Sequence, residues 1–154
     1  MAIVTRKELI QALIVAGDQL RMGGMDLSEL NLSGLSFYKA RLHYADLSHC
    51  NLKGANLEEA VLHGSNLTWA ALRGANLRKA RLSCDLSEAD LSSTVLDGAI
   101  LNRANLENAA LEEASLIGAH LVSANLSGAR LRESDLTRAD LSHATMDGAD
   151  LRHA

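Results

Sequence analysis

Aromatic residues, proline and long hydrophobic runs are scarce or missing in this chain of 154 residues. Phe, Trp and Tyr together make up 3% of it, and it contains no proline. No apolar run approaches the ~18 residues that a membrane-spanning helix needs. The first residues do not resemble a signal peptide, because Glu8, Gln11 and Asp18 interrupt their apolar segment. We therefore expect a soluble, cytoplasmic protein of one domain that does not bind a membrane.

Strong charge and abundant cysteine are missing too. The formal net charge is −4, and residues 1–77 are balanced, with seven basic and seven acidic side chains. This balance argues against direct nucleic acid binding, which requires a basic patch or stripe. The two cysteines, Cys50 and Cys84, suit a reducing compartment, and we expect buried thiols that form no disulfide.

Most of the apolar residues are Leu and Ala, which suggests one small packing unit used many times. Leu recurs at every fifth residue from Leu27 to Leu82 and again from Leu86 to Leu151, with Phe37 and Met146 as exceptions. Ala lies two residues before 18 of these 26 centres, so a small residue belongs to the unit together with the Leu. Asp and Asn are common directly before the centre.

A period of five fits neither an α-helix nor a flat strand. Five residues advance ~500° around a helix and therefore form no stripe, and on a strand they would alternate between faces. A chain that turns a corner in every unit keeps all centres inside. Four corners close a square, so one turn takes ~20 residues and the next stacks on it at ~4.8 Å.

The units ANLEE, ANLRK, ADLSS, ANLSG and ADLSH resemble the A(D/N)LXX unit of the pentapeptide-repeat family. The resemblance covers residues 25–153 and extends more weakly to residue 20. It implies an all-β solenoid, a right-handed quadrilateral β-helix of about seven coils. It is specific for the fold and carries little information on function, because members of the family do unrelated things.

The first residues predict a short helix that covers the start of the coil. Thr5 and Glu8 have the spacing of a capping box, and apolar residues follow at helical spacing over roughly residues 6–16. Since a solenoid needs atypical terminal units, we divide the chain into a capping helix (1–19) and a β-helix (20–154). A partner-binding amphipathic helix is the alternative.

The repeat loses one residue in the stretch ARLSCDLSEADL, residues 80–91. Leu86 comes four positions after Leu82 instead of five, and we place this register break at 83–85. CDLSE matches CNLKG at Cys50, so we expect Cys84 to point inward and the corner after Ser83 to be shortened. A local bulge is the simple interpretation, and a docking notch is the functional one.

The sequence offers no catalytic or cofactor chemistry. It contains no nucleophile motif and no phosphate-binding loop, and its carboxylates are spread evenly, so we expect no enzyme and no cofactor. His43 and His63 should stack in neighbouring coils, but no third ligand is evident, and we expect no metal site. The recurring glycines are interpreted as corner residues with positive φ.

Two features point to an unidentified protein partner. Acidic residues concentrate after the register break, and the coil places six of them on two adjacent faces: Asp85, Glu88, Asp90, Glu107, Glu112 and Glu113. Trp69 is the single tryptophan and should be exposed, with Tyr44 at a nearby corner. Aromatic side chains of this kind anchor protein contacts, although a ring lying over its neighbours is the simpler interpretation.

The last coil should leave Leu141, Met146 and Leu151 exposed beside unpaired strand edges. We expect two copies to form a homodimer end to end through it.

The favoured function is a non-enzymatic rod, a scaffold or protein-interaction module with a possible regulatory role, because the helix-capped start resembles cyanobacterial members that regulate development through protein contacts. The alternative is a DNA mimic that binds a type II topoisomerase (DNA gyrase). Such mimics are long, strongly acidic rods, whereas seven coils span only ~33 Å.

Overall fold

The computed structural model describes Thr5, residues 7–11 and residues 20–154. Residues 7–11 are α-helical, and the rest of the predicted helix lies outside the described residues. Its start has the predicted capping-box contacts: the Thr5 N–H donates to Glu8 Oε2 at 2.8 Å, and the Glu8 N–H donates to Thr5 Oγ1 at 3.3 Å. Leu9 is fully buried and belongs to the same hydrophobic cluster as the centres of the coil.

Residues 20–154 form a coil in which neighbouring turns pair in parallel. The pairing consists of single-residue bridges between residues 20 apart, such as Arg21 with Arg41 and Asp26 with Asp46. No strand longer than one residue occurs in residues 20–154. The reason is the corner spacing: since a turn takes four of every five residues, the part of each side outside the turns is one residue long.

The bridges define four sides, named in chain order. Side 1 carries the column Arg21, Arg41, Val61, Arg81, Ile100, His120 and Asp140. Side 2 carries Asp26, Asp46, Asn66, Asp85, Asn105, Asn125 and Thr145. Side 3 carries Asn31, Asn51, Ala71, Asp90, Ala110, Arg130 and Asp150, and side 4 carries Ser36, Asn56, Asn76, Val95, Ser115 and Asp135. Sides 1 and 3 are therefore opposite faces of the coil.

Each regular corner is a four-residue turn closed by one backbone hydrogen bond. In the turn after Phe37, for example, the Ala40 N–H donates to the Phe37 carbonyl at 2.9 Å. The third residue of each such turn has positive φ, as at Lys39 (φ 56°) and Gly64 (φ 67°). One positive φ at this position is typical of a type II turn, which confirms the interpretation of the glycines. Many of these positions nevertheless carry side chains, including Trp69 and Glu88.

The Asp and Asn residues before the centres stabilise the corners. Their side-chain oxygen accepts the N–H of the residue two positions later, as Asp26 does from Ser28 at 3.1 Å and Asn66 does from Thr68 at 3.1 Å. This is the local contact that these residue types make in turns. The sequence analysis noted their frequency without finding this reason.

The core is a set of leucine columns lined by small residues. The centres from Leu27 to Leu131 are almost completely buried, and the alanines two residues before them are buried as well. The hydroxyls of Ser65, Thr94 and Ser134, which replace alanine, donate to the carbonyl three residues earlier. Cys50 and Cys84 are buried free thiols in the same small-residue position. The interior is thus filled by one repeated side-chain pair.

The register break shortens a single corner between sides 1 and 2. The pairing distance falls from 20 residues to 19 in four bridges, from Asn66 with Asp85 to Arg81 with Ile100, and then returns to 20. Cys84 keeps the inward position, with 7% of its surface exposed. One turn residue is therefore absent while both leucine columns stay in the core.

The structure agrees with the four-sided coil that the sequence predicted. The right-handedness of the coil, the number of its turns, the division at residue 19 and the capping role of the helix stay predictions.

Candidate interaction site

A groove lies along side 3, between the two corners that flank this side, and begins one corner after the register break. Its volume is about 600 Å³. Its floor follows the column of side 3, where Ala110 is only 6% exposed and leaves room between larger neighbours. We call it the acidic groove; its lining is Trp69, Arg73, Glu88, Ala89, Asp90, Ser92, Ser93, Asn108, Ala110, Glu112, Glu113 and Arg130.

The structure brings five of the eight predicted contact residues into this groove. They are Trp69, Glu88, Asp90, Glu112 and Glu113. Asp85 and Glu107 do not line it, because they lie on side 2, where Asp85 accepts hydrogen bonds from Ser87 and Asn105. Tyr44 lies one corner away, between sides 1 and 2.

Two arginines that the sequence analysis missed moderate the charge of the groove. The Arg130 Nε–H donates to Glu112 Oε1 at 2.7 Å, and Arg73 lines the opposite part of the groove. Carboxylates still outnumber arginines there by four to two, so the lining is negative. Arg130 follows Ala110 by 20 residues, and the coil period could have revealed its place in this column.

The carboxylates of the groove are held by polar neighbours in the next turn. The Asn108 Nδ2–H donates to Glu88 Oε1 at 3.0 Å, and the Ser93 hydroxyl donates to Glu113 Oε2 at 3.1 Å. The Ser92 hydroxyl reaches Glu112 at 3.3 Å. These contacts fix the carboxylates in position before any partner arrives.

Trp69 forms the aromatic edge of the groove. Its ring stacks on His49 from the preceding turn, with ring centroids 6.4 Å apart and planes inclined by 5°. The residue is nevertheless 57% exposed. Stacking on a neighbouring ring, the simpler interpretation, therefore covers only part of the surface of Trp69.

A second aromatic cluster lies beside the register break. His43 and His63 stack with centroids 5.6 Å apart, and the Tyr44 ring meets His63 edge-on at 5.0 Å. Tyr44 is 64% exposed and covers Gly64, where a Cβ atom would collide with its ring. Among the described residues, no group of three or more His, Cys, Asp or Glu side chains is placed to hold a metal ion.

No helix in the described part of the chain is both long and apolar enough to cross a bilayer.

The last turn exposes the apolar residues that the sequence analysis singled out. Met146 is 36% exposed, Leu151 is 38% exposed and Leu141 is partly exposed. The backbone N–H groups of Met146 and Leu151 bond to no further described turn, whereas the N–H of an earlier centre such as Leu131 donates to Asp150 in the next turn.

The family model of pentapeptide repeats matches the chain over residues 21–54, 40–78, 84–121 and 119–154. The chain therefore belongs to the pentapeptide-repeat family. Proteins of this family form right-handed quadrilateral β-helices, and they are typically non-enzymatic structural or interaction modules. A comparison with curated proteins found no significant match.

Several solved structures of this family are similar to the chain. A pentapeptide repeat protein from Nostoc PCC 7120 is 30% identical, covers 99% of this chain and is itself 99% covered, with a TM-score of 0.34. Rfr23 from the cyanobacterium Cyanothece 51142 is 26% identical, with 93% of this chain and 99% of that chain covered and a TM-score of 0.38. HetL from Nostoc sp. PCC 7120, involved in heterocyst differentiation regulation, is 28% identical. The match covers 98% of this chain and 94% of HetL, with a TM-score of 0.26. Since these TM-scores are low, family membership rests on the repeats.

Proposed function

We propose that this protein is a non-enzymatic interaction rod that binds a partner protein in the acidic groove. The rod would be a right-handed coil of about seven turns over residues 20–154, capped by a helix within residues 1–19. It would act in the cytoplasm as a scaffold or regulator. The supporting observation is the combination of an exposed tryptophan with preoriented carboxylates in one concave site.

The chemistry of the groove favours a partner that presents a basic side chain. A guanidinium or ammonium group attracts the face of a tryptophan ring within ~6 Å of the ring centroid. Glu88 and Glu113 would accept its hydrogen bonds, since neither is in an ion pair with a described residue. A partner would thus gain both an aromatic anchor and a charge-assisted contact.

A capture experiment with matched variants tests this proposal. Lysate proteins retained by the wild-type rod are compared with those retained by the Trp69→Ala/Glu113→Gln variant. The Tyr38→Ala/Asp147→Asn variant, altered away from the groove, is the control. A protein held by wild type and control and lost with the groove variant is then purified, and its binding is followed through the fluorescence of Trp69. Equal retention by all three proteins would contradict the assignment.

The charge distribution weighs against a DNA mimic that binds DNA gyrase. Mimicry requires rows of negative charge, whereas the acidic groove contains Arg73 and Arg130 and side 1 carries arginines. We expect no inhibition of gyrase supercoiling at micromolar protein. Inhibition that disappears when Glu88, Glu112 and Glu113 are changed to Gln would establish the mimic instead.

We also propose that two copies associate through the last turn. Met146 and Leu151 expose apolar surface there, next to backbone groups with no neighbouring turn. A two-fold arrangement would bury this surface and pair the free edges of both copies at once. The apolar residues Leu141, Met146 and Leu151 would form its centre.

A further inference from the structure

The shortened corner leaves one backbone carbonyl without its usual donor. At the other corners between sides 1 and 2, the residue with positive φ donates its N–H to a carbonyl in the next turn, as Gly64 does to Ser83 at 2.9 Å and Arg103 does to Val122 at 3.0 Å. The turn after Leu82 lacks this residue. No N–H of the described chain therefore reaches the carbonyl oxygen of Asn102.

The space around this carbonyl is open. The Asn102 side chain points to the turn above, where its Oδ1 accepts the Val122 N–H at 3.1 Å. A depression of about 610 Å³ lies here, lined by Ser83, Asn102, Arg103, Val122 and Ser123. We call it the notch. An incoming N–H can thus approach a fixed backbone acceptor that the coil itself cannot satisfy.

The surface of side 1 below and beside the notch carries positive charge. From Arg21 to Ser123, the outward residues of side 1 and of the corner that follows include no Asp or Glu. The arginines of this surface form no ion pair with any described residue: Arg21, Arg41, Arg81 and Arg103. Asp85, the first residue of side 2 after the shortened corner, accepts hydrogen bonds from Ser87 and Asn105.

Apolar groups lie among these arginines. Val61 and Ile100 are half-buried on side 1, Val122 is half-buried at the corner that follows, and Tyr44 is exposed below the notch. Arginine and tyrosine are the residues most often found at the energetic centres of protein interfaces. An extended segment lying along this side would meet a basic, partly apolar surface.

We propose that side 1 and the notch bind an extended, acidic segment of a partner protein. One backbone N–H of the segment donates to the Asn102 carbonyl, while its Asp or Glu side chains pair with Arg81 and Arg103. A polypeptide suits the site better than a nucleic acid, because a phosphodiester backbone has no N–H to donate and the valine and isoleucine side chains offer no stacking surface. The site is separate from the acidic groove on the opposite side and takes a ligand of opposite charge.

Selection from a random dodecapeptide library displayed on phage tests the proposal. We expect the enriched peptides to be rich in Asp and Glu, and their affinity, measured by fluorescence polarisation, to fall as salt screens the charges. Methylating the backbone nitrogen that donates to Asn102 should weaken binding about 2- to 10-fold, the effect of one lost hydrogen bond.

Variants of the rod locate the peptide. Inserting one glycine after Ser83 restores the regular corner, supplies the missing N–H to Asn102 and fills the notch, so binding should weaken by about 10-fold or more. Arg103→Ser should have a similar effect, whereas Arg132→Ser, on the opposite side, should have none. Retained circular dichroism and melting temperature show that the variants are folded.

Four results would overturn the proposal. They are an absence of enriched peptides, enriched peptides without acidic residues, equal binding to the glycine-insertion variant, and an equal loss with Arg132→Ser. Full competition by a single-stranded oligonucleotide would assign the surface to nucleic acid instead. Because none of these experiments alters Trp69 or Glu113, their outcome is independent of the acidic groove.

Discussion

The N–H of Cys84 donates to the carbonyl of Leu82 at 2.7 Å, a bond that spans two residues where the regular corners span three. This tighter turn closes the corner with one residue fewer. It keeps Leu82 and Leu86 in the core and removes one of the two outward residues of the corner, leaving Ser83. The irregularity therefore changes the surface of the rod and leaves its interior intact.

Truncating a centre should cost far more than truncating its outward neighbour. Leu106 is fully buried, whereas Glu107 is exposed. Leu106→Ala should lower the free energy of unfolding by ~2–5 kcal/mol, and Glu107→Ala should lower it by less than ~0.5 kcal/mol. Urea denaturation measures both, and equal effects would mean that the assignment of inward and outward positions is wrong.

A charge at Leu9 should reveal whether the helix covers the coil. Leu9 is fully buried in the common core cluster, whereas Gln11 is exposed. Leu9→Asp should reduce the melting temperature and promote aggregation, because the first leucine layer loses its cover. Gln11→Asp is the control. The capping role would be excluded if the Leu9 variant stayed monomeric and equally stable.

Glycine substitutions at two adjacent corner positions should change the free energy of unfolding in opposite directions. Glu133 has a φ of 59°, and Arg132 has no positive φ. The left-handed conformation destabilises a residue with a side chain by ~1–2 kcal/mol, and glycine avoids this cost. Glycine also has more freedom in the unfolded chain, and this offsets ~0.5–1 kcal/mol of the gain. Glu133→Gly should therefore stabilise the protein by ~0.5–1 kcal/mol, and Arg132→Gly should destabilise it. Thermal unfolding that ranks them in the reverse order would refute this assignment.

The buried thiols should be unreactive and should make stability depend on alkaline pH. Burial raises the pKa of both Cys50 and Cys84 to about 12. An unfolded thiol has a pKa of ~8.5, so the folded state binds these protons more tightly. The contribution of the two thiols to the free energy of unfolding is complete below pH ~8.5 and is lost as the pH rises towards 12.

The thiol prediction is checked in two ways. A disulfide reagent at pH 8 should modify the native protein much more slowly than the urea-unfolded protein. Between pH 9 and 12 the unfolding free energy of the wild type should fall more steeply than that of Cys50→Ala/Cys84→Ala. Rapid labelling without unfolding, or parallel pH curves, would contradict the raised pKa values.

The end-to-end dimer should depend on Met146 and Leu151. Replacing both with Lys should yield a folded monomer, because the apolar surface and the edge pairing are lost together. Ile117→Lys, which alters an apolar residue exposed at a corner between sides 4 and 1, is the control. Analytical ultracentrifugation at ~100 μM, well above a micromolar dissociation constant, measures the oligomeric state. A monomeric wild type would rule out the dimer.

The sequence alone determined the coil, because its period is a local property. Every unit repeats the same inward pair, so Leu106 and Cys84 could be placed in the core without coordinates. The outward surface was harder to predict. Asn108 looks like a neutral outward site, yet it has a φ of 56° and donates to Glu88, so replacing it alters both backbone and groove.

Only the tertiary structure decided which outward residues share a site and which backbone groups remain free. Arg130 meets Glu112 across 18 residues of sequence, and this pairing makes the acidic groove less negative than the local sequence implies. The free carbonyl of Asn102 arises from a residue missing one turn earlier. Contacts between turns depend on the alignment of whole columns, and an alignment fixed by backbone pairing cannot be seen in any single unit of five residues.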